Sequence, residues 1–193
     1  IEGTEWGDEG KGKICDYLAQ KMDIVVRHQG GNNAGHSVVV NGVRYALQSL
    51  PSGIINENIT NVIANGCVIN PKALIEEMER IKEKGIKHFN LLISNRAHII
   101  MPYHLDLDGA YEEVLSKDKI GTTKKGIGPC YMDKMARIGL WMGDLLEPDY
   151  LKERLLDALA IKNIELKAFG KKPYEFEPLY NDLLTYGKIL KPF

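Results

Sequence analysis

Long apolar runs are missing from this sequence: no stretch approaches the ~18 residues that a membrane-spanning helix needs, and no leader pattern opens it. Cysteine is scarce. Cys15, Cys67 and Cys130 are odd in number, far apart and without C-x-x-C spacing, which excludes a disulfide framework or a zinc ribbon and predicts reduced thiols in a cytosolic protein. Charge of one sign is lacking too. With 25 basic and 26 acidic side chains the net charge is -1, so nothing draws the chain as a whole to nucleic acid or to an anionic membrane, and any affinity for anions must be local to a loop. Repeats and low-complexity linkers are also absent. What remains is an ordinary globular composition, 44% hydrophobic over 193 residues, long enough for one sizeable core.

The densest chemistry lies at Gly7-Asp8-Glu9-Gly10-Lys11-Gly12-Lys13. Glycines allow positive φ, so successive N–H groups can point into one concavity, and a helix beginning near Ile14 adds the positive end of its dipole. This is a phosphate cradle. The spacing satisfies G-x-x-x-x-G-K but reads Ile14 where a P-loop carries the Mg²⁺-binding hydroxyl. Asp8, a carboxylate among phosphates, then implies a metal, a proton-transfer task, or both.

Taken in order, the chain predicts a strand end at Ile1 to Gly3, a helix to about Gln20 and a buried strand at Ile24 to Val26. That is the grammar of a parallel sheet covered by helices, and it puts the cradle at the carboxyl end of a strand. Arg27 to His36 reads R-H-Q-G-G-N-N-A-G-H, a second loop. Asn41-Gly42 between Ser37–Val40 and Val43–Leu47 signals a hairpin with His36 at its mouth. Strand-like runs at 61–63 and 67–69 flank a turn at Ala64-Asn65-Gly66. Asn70-Pro71 caps a helix that stops at Gly85. A strand at 91–93, a helix from Asp106 to about Ser116, a third glycine-rich basic loop from Lys119 to Pro129, and helices over 148–163 and 179–189 complete the reading. The fold class is α/β: a P-loop-like, mainly parallel central sheet with flanking helices, a β-hairpin insertion and a helical C-terminal segment. Residues 1–144 form the sheet core with the site loops, and 145–193 the mostly helical segment.

Three polar glycine-rich loops suggest a site assembled from several strand ends. Asn33 offers an amide for a ring edge or sugar, and His36 can carry a proton near neutral pH beside Asp8. Thr122 and Thr123 favour phosphate contact for the third loop, whereas Lys124 and Lys125 alone would read as an exposed charge pair. His98 and His104 lack a spaced third ligand and read as surface or satisfied core residues. Arg137 reads as a lone arginine on a helix, with no role that chemistry alone assigns. From the residues, the chain is a nucleotide-binding domain that transfers or hydrolyses a phosphoryl group; an NTP-binding switch or hydrolase without metabolite ligation is the alternative, which the Asp8 and His36 pair disfavours.

Trp6 to Lys13 (W-G-D-E-G-K-G-K), Gln29 to His36 (Q-G-G-N-N-A-G-H) and Gly121 to Lys134 (G-T-T-K-K-G-I-G-P-C-Y-M-D-K) together resemble the signatures of the adenylosuccinate synthetase family. The resemblance implies a cytoplasmic, homodimeric ligase of AMP biosynthesis that joins IMP and L-aspartate at the expense of GTP with one Mg²⁺ per subunit. It implies that Asp8 takes the N1 proton of IMP and that His36 acts as acid toward the phosphate chain, giving 6-phosphoryl-IMP. GTP would be held by Gly7, Asp8, Glu9, Gly10, Lys11, Gly12, Lys13, Gly35, His36 and Ser37. IMP would be held by Asp8, Glu9, Gly10, Lys11, Asn33, Ala34, Gly35, His36 and Thr123, and by Arg137 from the neighbouring subunit. Asp8 and the Gly35 carbonyl would be the metal ligands.

Glu5 departs from the Gln usual in the family, Ser37 from Thr, and Glu2 from an apolar strand end. The family continues well beyond Phe193, into the aspartate-binding loop and the guanine-recognising segment, so the expectation is an N-terminal portion that does not complete the reaction alone.

Overall fold

The computed structural model describes residues 11–33, 35–40, 42–115 and 121–193. The Gly7 to Gly10 stretch with Asp8, together with Glu2, Glu5, Ala34 and Asn41, lies outside the described residues, as does the expected first strand end. The architecture is α/β. Helix α1 (Lys11–Ala19) leads to β1 (Ile24–Arg27), the hairpin β2 (His36–Val40) and β3 (Val43–Leu47), and a 3-10 turn at Ser52–Ile55. Then come β4 (Thr60–Ile63), β5 (Val68–Ile69), α2 (Pro71–Glu83), β6 (Leu91–Ile93), β7 (His98–Ile99), α3 (Pro102–Val114), α4 (Ile127–Ala136), α5 (Pro148–Ala168) and α6 (Phe176–Leu190).

Strands β1, β4 and β6 pair in that order, all parallel, with Val26, Val62 and Leu92 in register across the three. Strands β4 and β6 each end at a tight turn, and the chain then resumes pairing one step on. Cys67 N–H closes on Ala64 C=O at 3.0 Å and Ala97 N–H on Ser94 C=O at 3.1 Å, after which β5 pairs parallel with β7. Beside them Gly30 bridges to Cys67, continuing the β1–β4 pairing into the second loop. The turn needs glycine at 66, where a Cβ would collide with the His28 carbonyl. The loop that follows β1 therefore lies directly on the turn that follows β4.

The helices obey their sequence signals. Asn70 Oδ1 accepts from Ala73 N–H at 3.1 Å with Pro71 in the first turn. At the other end Gly85 takes φ +102° while Gly85 N–H reaches Lys82 C=O and Ile86 N–H reaches Ile81 C=O, a Schellman closure. Helix α5 ends the same way around Gly170, at Ala168 rather than at Asn163. No breaker stands before Gly170, and the Asn163 side chain is engaged with both backbone groups of Tyr174 at 2.8 and 2.9 Å. Helix α3 starts at Pro102, four residues before the expected Asp106, because proline at the first helical position has no N–H to lose and a preset φ. Helix α1 already includes Lys11, Gly12 and Lys13, ahead of the expected start near Ile14. Helix α6 is longer than the expected 179–189 by three residues at its start and one at its end.

Strand β7 has no counterpart in the sequence reading, and the helix expected around Arg137 starts as early as Ile127, inside the expected third loop. Gly126, Gly128 and Pro129 look like loop composition, yet Gly126 is the left-handed residue before α4 and Pro129 sits in its first turn. Arg137 is not on the helix but one residue past it, at φ +62°. One continuous apolar cluster runs from Val38 and Leu47 through Leu74, Ile99 and Leu107 to Leu155 and Leu183. A smaller cluster of Val68, Ile100 and Cys130, with Ile127 and Tyr131 against it, underlies the second loop.

Candidate functional site

The second loop is held in place from three sides. Tyr131, on α4, accepts from Gly30 N–H at 2.9 Å and donates its hydroxyl to Gly66 C=O at 2.7 Å, so one phenol joins the loops after β1 and β4. Lys134, one turn on, donates to Asn65 C=O at 2.8 Å. The Arg27 guanidinium donates to the carbonyls of Gly31 and Gln48. Gly31 is buried against Ile127 and the Val68 carbonyl, and a Cβ there would stand 2.9 Å from that oxygen. Burial lowers the Arg27 pKa from its ordinary value, with the neighbouring Cys67, Glu77 and Tyr131 opposing. Burial likewise raises Cys67, whose thiol donates to Arg27 C=O at 3.2 Å.

The third loop is tied to α3 by two carboxylates one turn apart. Asp108 accepts from Thr122 Oγ1 at 2.8 Å and from Gly126 N–H at 2.9 Å; Glu112 accepts from Gly121 N–H at 2.7 Å. Both are buried. Gly126 approaches α3 so closely that a Cβ would lie 2.9 Å from His104 Cβ. The Thr122 hydroxyl is thus engaged within the protein, while Thr123, Lys124 and Lys125 stand exposed, with Lys124 at φ +54°.

Beneath α4 lies a buried charged network. His104 Nδ1 accepts from Met101 N–H at 2.9 Å, so its Nε2–H faces Asp133 Oδ2 at 2.9 Å. The Lys162 ammonium meets Asp133 Oδ1 at 2.5 Å and Glu165 at 2.8 Å. Burial lowers the His104 pKa and outweighs its bond to Asp133, so the ring is neutral near pH 7. Burial also opposes the charge on Lys162, but the bonds to Asp133 and Glu165 prevail and its pKa is raised. The network locks α3, α4 and α5 together and fixes the direction in which α4 leads. His104 is accordingly a satisfied core residue. His98 is buried as well, accepts from Trp141 Nε1–H at 3.0 Å, and is lowered to about 4 by burial and by the charges of Lys134 and Arg154.

The structure brings the second loop, the N-terminal end of α4 and the turn after β4 into one assembly. Helix α1, carrying Lys11, Gly12 and Lys13, packs against β2, the strand that His36 opens. The N-terminal end of a helix carries the positive end of its dipole, which suits an anion. Asn33 and Gly35 are exposed on the second loop, and the Ser37 hydroxyl accepts from Arg44 Nε at 3.0 Å. Arg137 is exposed at the opposite end of α4 from Ile127, about 15 Å away by helix rise.

Sequence reasoning missed Arg27, Glu77, Asp108, Glu112, Tyr131 and the partners of His104. A signal was present. Glu77 falls among Leu74, Met78 and Ile81 on α2, Asp108 beside Leu107 on α3, and Lys162 among Leu155, Leu159 and Leu166 on α5. A charged residue inside an apolar helical stripe must be paired or hydrogen-bonded there.

Residues 1–193 match throughout the profile of the family described as adenylosuccinate synthetase. Curated relatives named adenylosuccinate synthetase are 51% identical over 194 residues in Lactiplantibacillus plantarum and 52% over 196 in Clostridium acetobutylicum; each match covers 100% of this chain. The chain spans 45% and 46% of their lengths, so about half of such a relative lies outside the match. Among solved structures, the fully ligated adenylosuccinate synthetase of Plasmodium falciparum superposes with a TM-score of 0.86 at 38% identity, over 98% of this chain and 44% of that one.

Proposed function

Since the chain belongs to the adenylosuccinate synthetase family, we propose that the whole protein is the GTP-dependent ligase that joins IMP and L-aspartate into adenylosuccinate, with GDP and phosphate as the other products. The 193 residues supply the phosphoryl-transfer half of that site, as one N-terminal portion of a larger nucleotide-binding ligase domain. The observation that carries the reading is the joining of the second loop to α4 and the turn after β4 through Tyr131, Gly31 and Arg27. A hydrolase or switch needs only a cradle and a positioned water; a second rigid loop bearing Asn33, Gly35 and His36 is what a second substrate needs.

In this reading Lys11, Gly12 and Lys13 at the start of α1, with Gly7, Glu9 and Gly10, line the GTP phosphates, and Asn33, Ala34 and Thr123 contact IMP. Asp8 removes the N1 proton of IMP as O6 attacks the γ-phosphate. His36 gives a proton to the phosphate chain, and the amine of aspartate then displaces phosphate from 6-phosphoryl-IMP. The Asp8 carboxylate and the Gly35 carbonyl are hard oxygen donors of the kind Mg²⁺ takes together with substrate phosphates. Bound there, the ion would neutralise phosphate charge. Among the described residues no group of three His, Cys, Asp or Glu side chains is arranged to hold a metal.

Arg137, exposed one residue past the end of α4, serves the IMP site of a second copy, which makes the active form a homodimer. Met132 and Met135 are 53% and 72% exposed on the same helix and supply apolar surface for that contact. No helix among the described residues is long and apolar enough to cross a membrane, and the proposed location is the cytoplasm. The test is GTP turnover by the whole protein that requires both IMP and L-aspartate. Asp8→Asn should keep the fold and lower turnover by roughly three orders of magnitude or more, since base and metal ligand are lost together. GTP hydrolysis indifferent to IMP and aspartate, or near wild-type turnover in the variant, would sink the reading.

A further inference from the structure

The backbone of His36 is placed by the hairpin: in the antiparallel ladder it stands opposite Leu47. Where β3 ends therefore decides where His36 lies. The chain leaves β3 through the peptide group between Gln48 and Ser49, and that group is gripped at both ends. Its carbonyl, on Gln48, accepts from the Arg27 guanidinium. Its N–H, on Ser49, donates to Glu77 Oε2 at 2.8 Å. The second Glu77 oxygen takes Gln48 N–H at 2.7 Å and Leu50 N–H at 3.3 Å, so one carboxylate gathers three successive amides. Glu77 is 1% exposed.

Arg27 and Glu77 thus hold a peptide dipole between them, cation at the oxygen and anion at the hydrogen, the arrangement in which both charges are compensated. The same guanidinium also reaches Gly31 C=O in the loop that carries Asn33. One arginine therefore references both the exit of the hairpin and the second loop to the end of β1, and Glu77 references the hairpin exit to α2. We propose that Arg27 and Glu77 are positioning residues of the phosphoryl-transfer site, setting the place of His36 relative to the second loop through the Gln48–Ser49 peptide. The proposal rests on the ligase reading, in which His36 and Asn33 act on the two nucleotides. A purely structural role would cost folded protein; positioning costs the chemical step, where displacements of an ångström are felt.

The experiment uses the whole protein and compares wild type, Glu77→Gln, Arg27→Lys and the double variant. Glu77→Gln keeps one acceptor oxygen but turns an NH₂ toward an amide N–H; Arg27→Lys keeps the cation but not the planar fork that spans two carbonyls. Each single variant is expected to lose kcat per folded molecule by about tenfold or more while KM for L-aspartate stays within about twofold, because no residue the clamp holds is assigned to aspartate. The double variant should be no worse than the poorer single one, since both act on one peptide group. Unchanged kcat, multiplicative losses in the double variant, or failure of both single variants to fold would each overturn the positioning role. A wild-type protein that forms no adenylosuccinate would instead overturn the ligase reading itself.

Discussion

Replacing Lys162 by methionine tests the buried network under α4 most directly. Methionine keeps the length of the stem and removes only the charge. Asp133, 1% exposed on its side chain, would then retain the single bond from His104 Nε2–H at 2.9 Å in place of an ammonium at 2.5 Å. Removing one partner of a buried ion pair costs about 3–5 kcal/mol, because the other charge stays buried without compensation, and His104 places the expectation near the lower end. The lost contact with Glu165, itself partly exposed, adds at most about 1 kcal/mol.

The pH dependence of that loss has a definite sign. In the wild type the folded-state pKa of His104 is lowered, so the stability it contributes is present above about 6.5 and is lost as pH falls below it, where the unfolded ring takes up a proton first. Lys162 is one of the charges holding it down. Without that ammonium His104 becomes easier to protonate beside Asp133, and the variant loses less on acidification than the wild type. Denaturant unfolding should therefore give a destabilisation of about 3 kcal/mol at pH 8 that narrows towards pH 5. Adding Asp133→Asn to Lys162→Met should recover part of the loss, since a neutral amide needs no counter-charge. A loss under about 1 kcal/mol at pH 8, a gap that widens at acid pH, or no recovery in the double variant would refute the argument.

Two other substitutions probe the loops. Asp108→Asn keeps one acceptor for Thr122 or Gly126 but leaves the other donor without a partner; unfolding should cost about 1–2 kcal/mol, and KM for IMP should rise more than KM for GTP. Equal changes in the two constants would detach Asp108 from the third loop's role. Gly66→Ala drives a Cβ into the His28 carbonyl, backbone against side chain with no rotamer to relieve it, and should destabilise by more than about 2 kcal/mol. Gly42→Ala, at φ +78° but with open space around it, should cost only about 1 kcal/mol, and the reverse order would show the contact at Gly66 to be soft.

Local rules made several elements legible in the sequence. Asn70-Pro71 and Gly85 bound α2 because capping, a missing N–H and a positive φ are properties of single residues. The hairpin followed from Asn41-Gly42 between two β-branched or aromatic runs. The start of α4 was hidden because Gly128 and Pro129 look like loop wherever they stand, and only the first turn of a helix tolerates them at no cost.

By itself, then, the sequence determined the α/β class and the family whose signatures it carries, since each is a matter of residue type at fixed spacing. Tertiary structure alone decided which groups across the chain meet. It placed Tyr131 on Gly30 and Gly66, Asp108 on Thr122 and Gly126, and Arg27 and Glu77 on the two ends of one peptide group. It also set Arg137 one residue past the end of α4, opposite the end that the third loop enters. Residues 65 or 101 positions apart carry no mark of one another in the chain. The charges stranded in apolar stripes announce only that a partner must exist, because burial without one costs several kcal/mol. Which partner it is depends on how the helices pack.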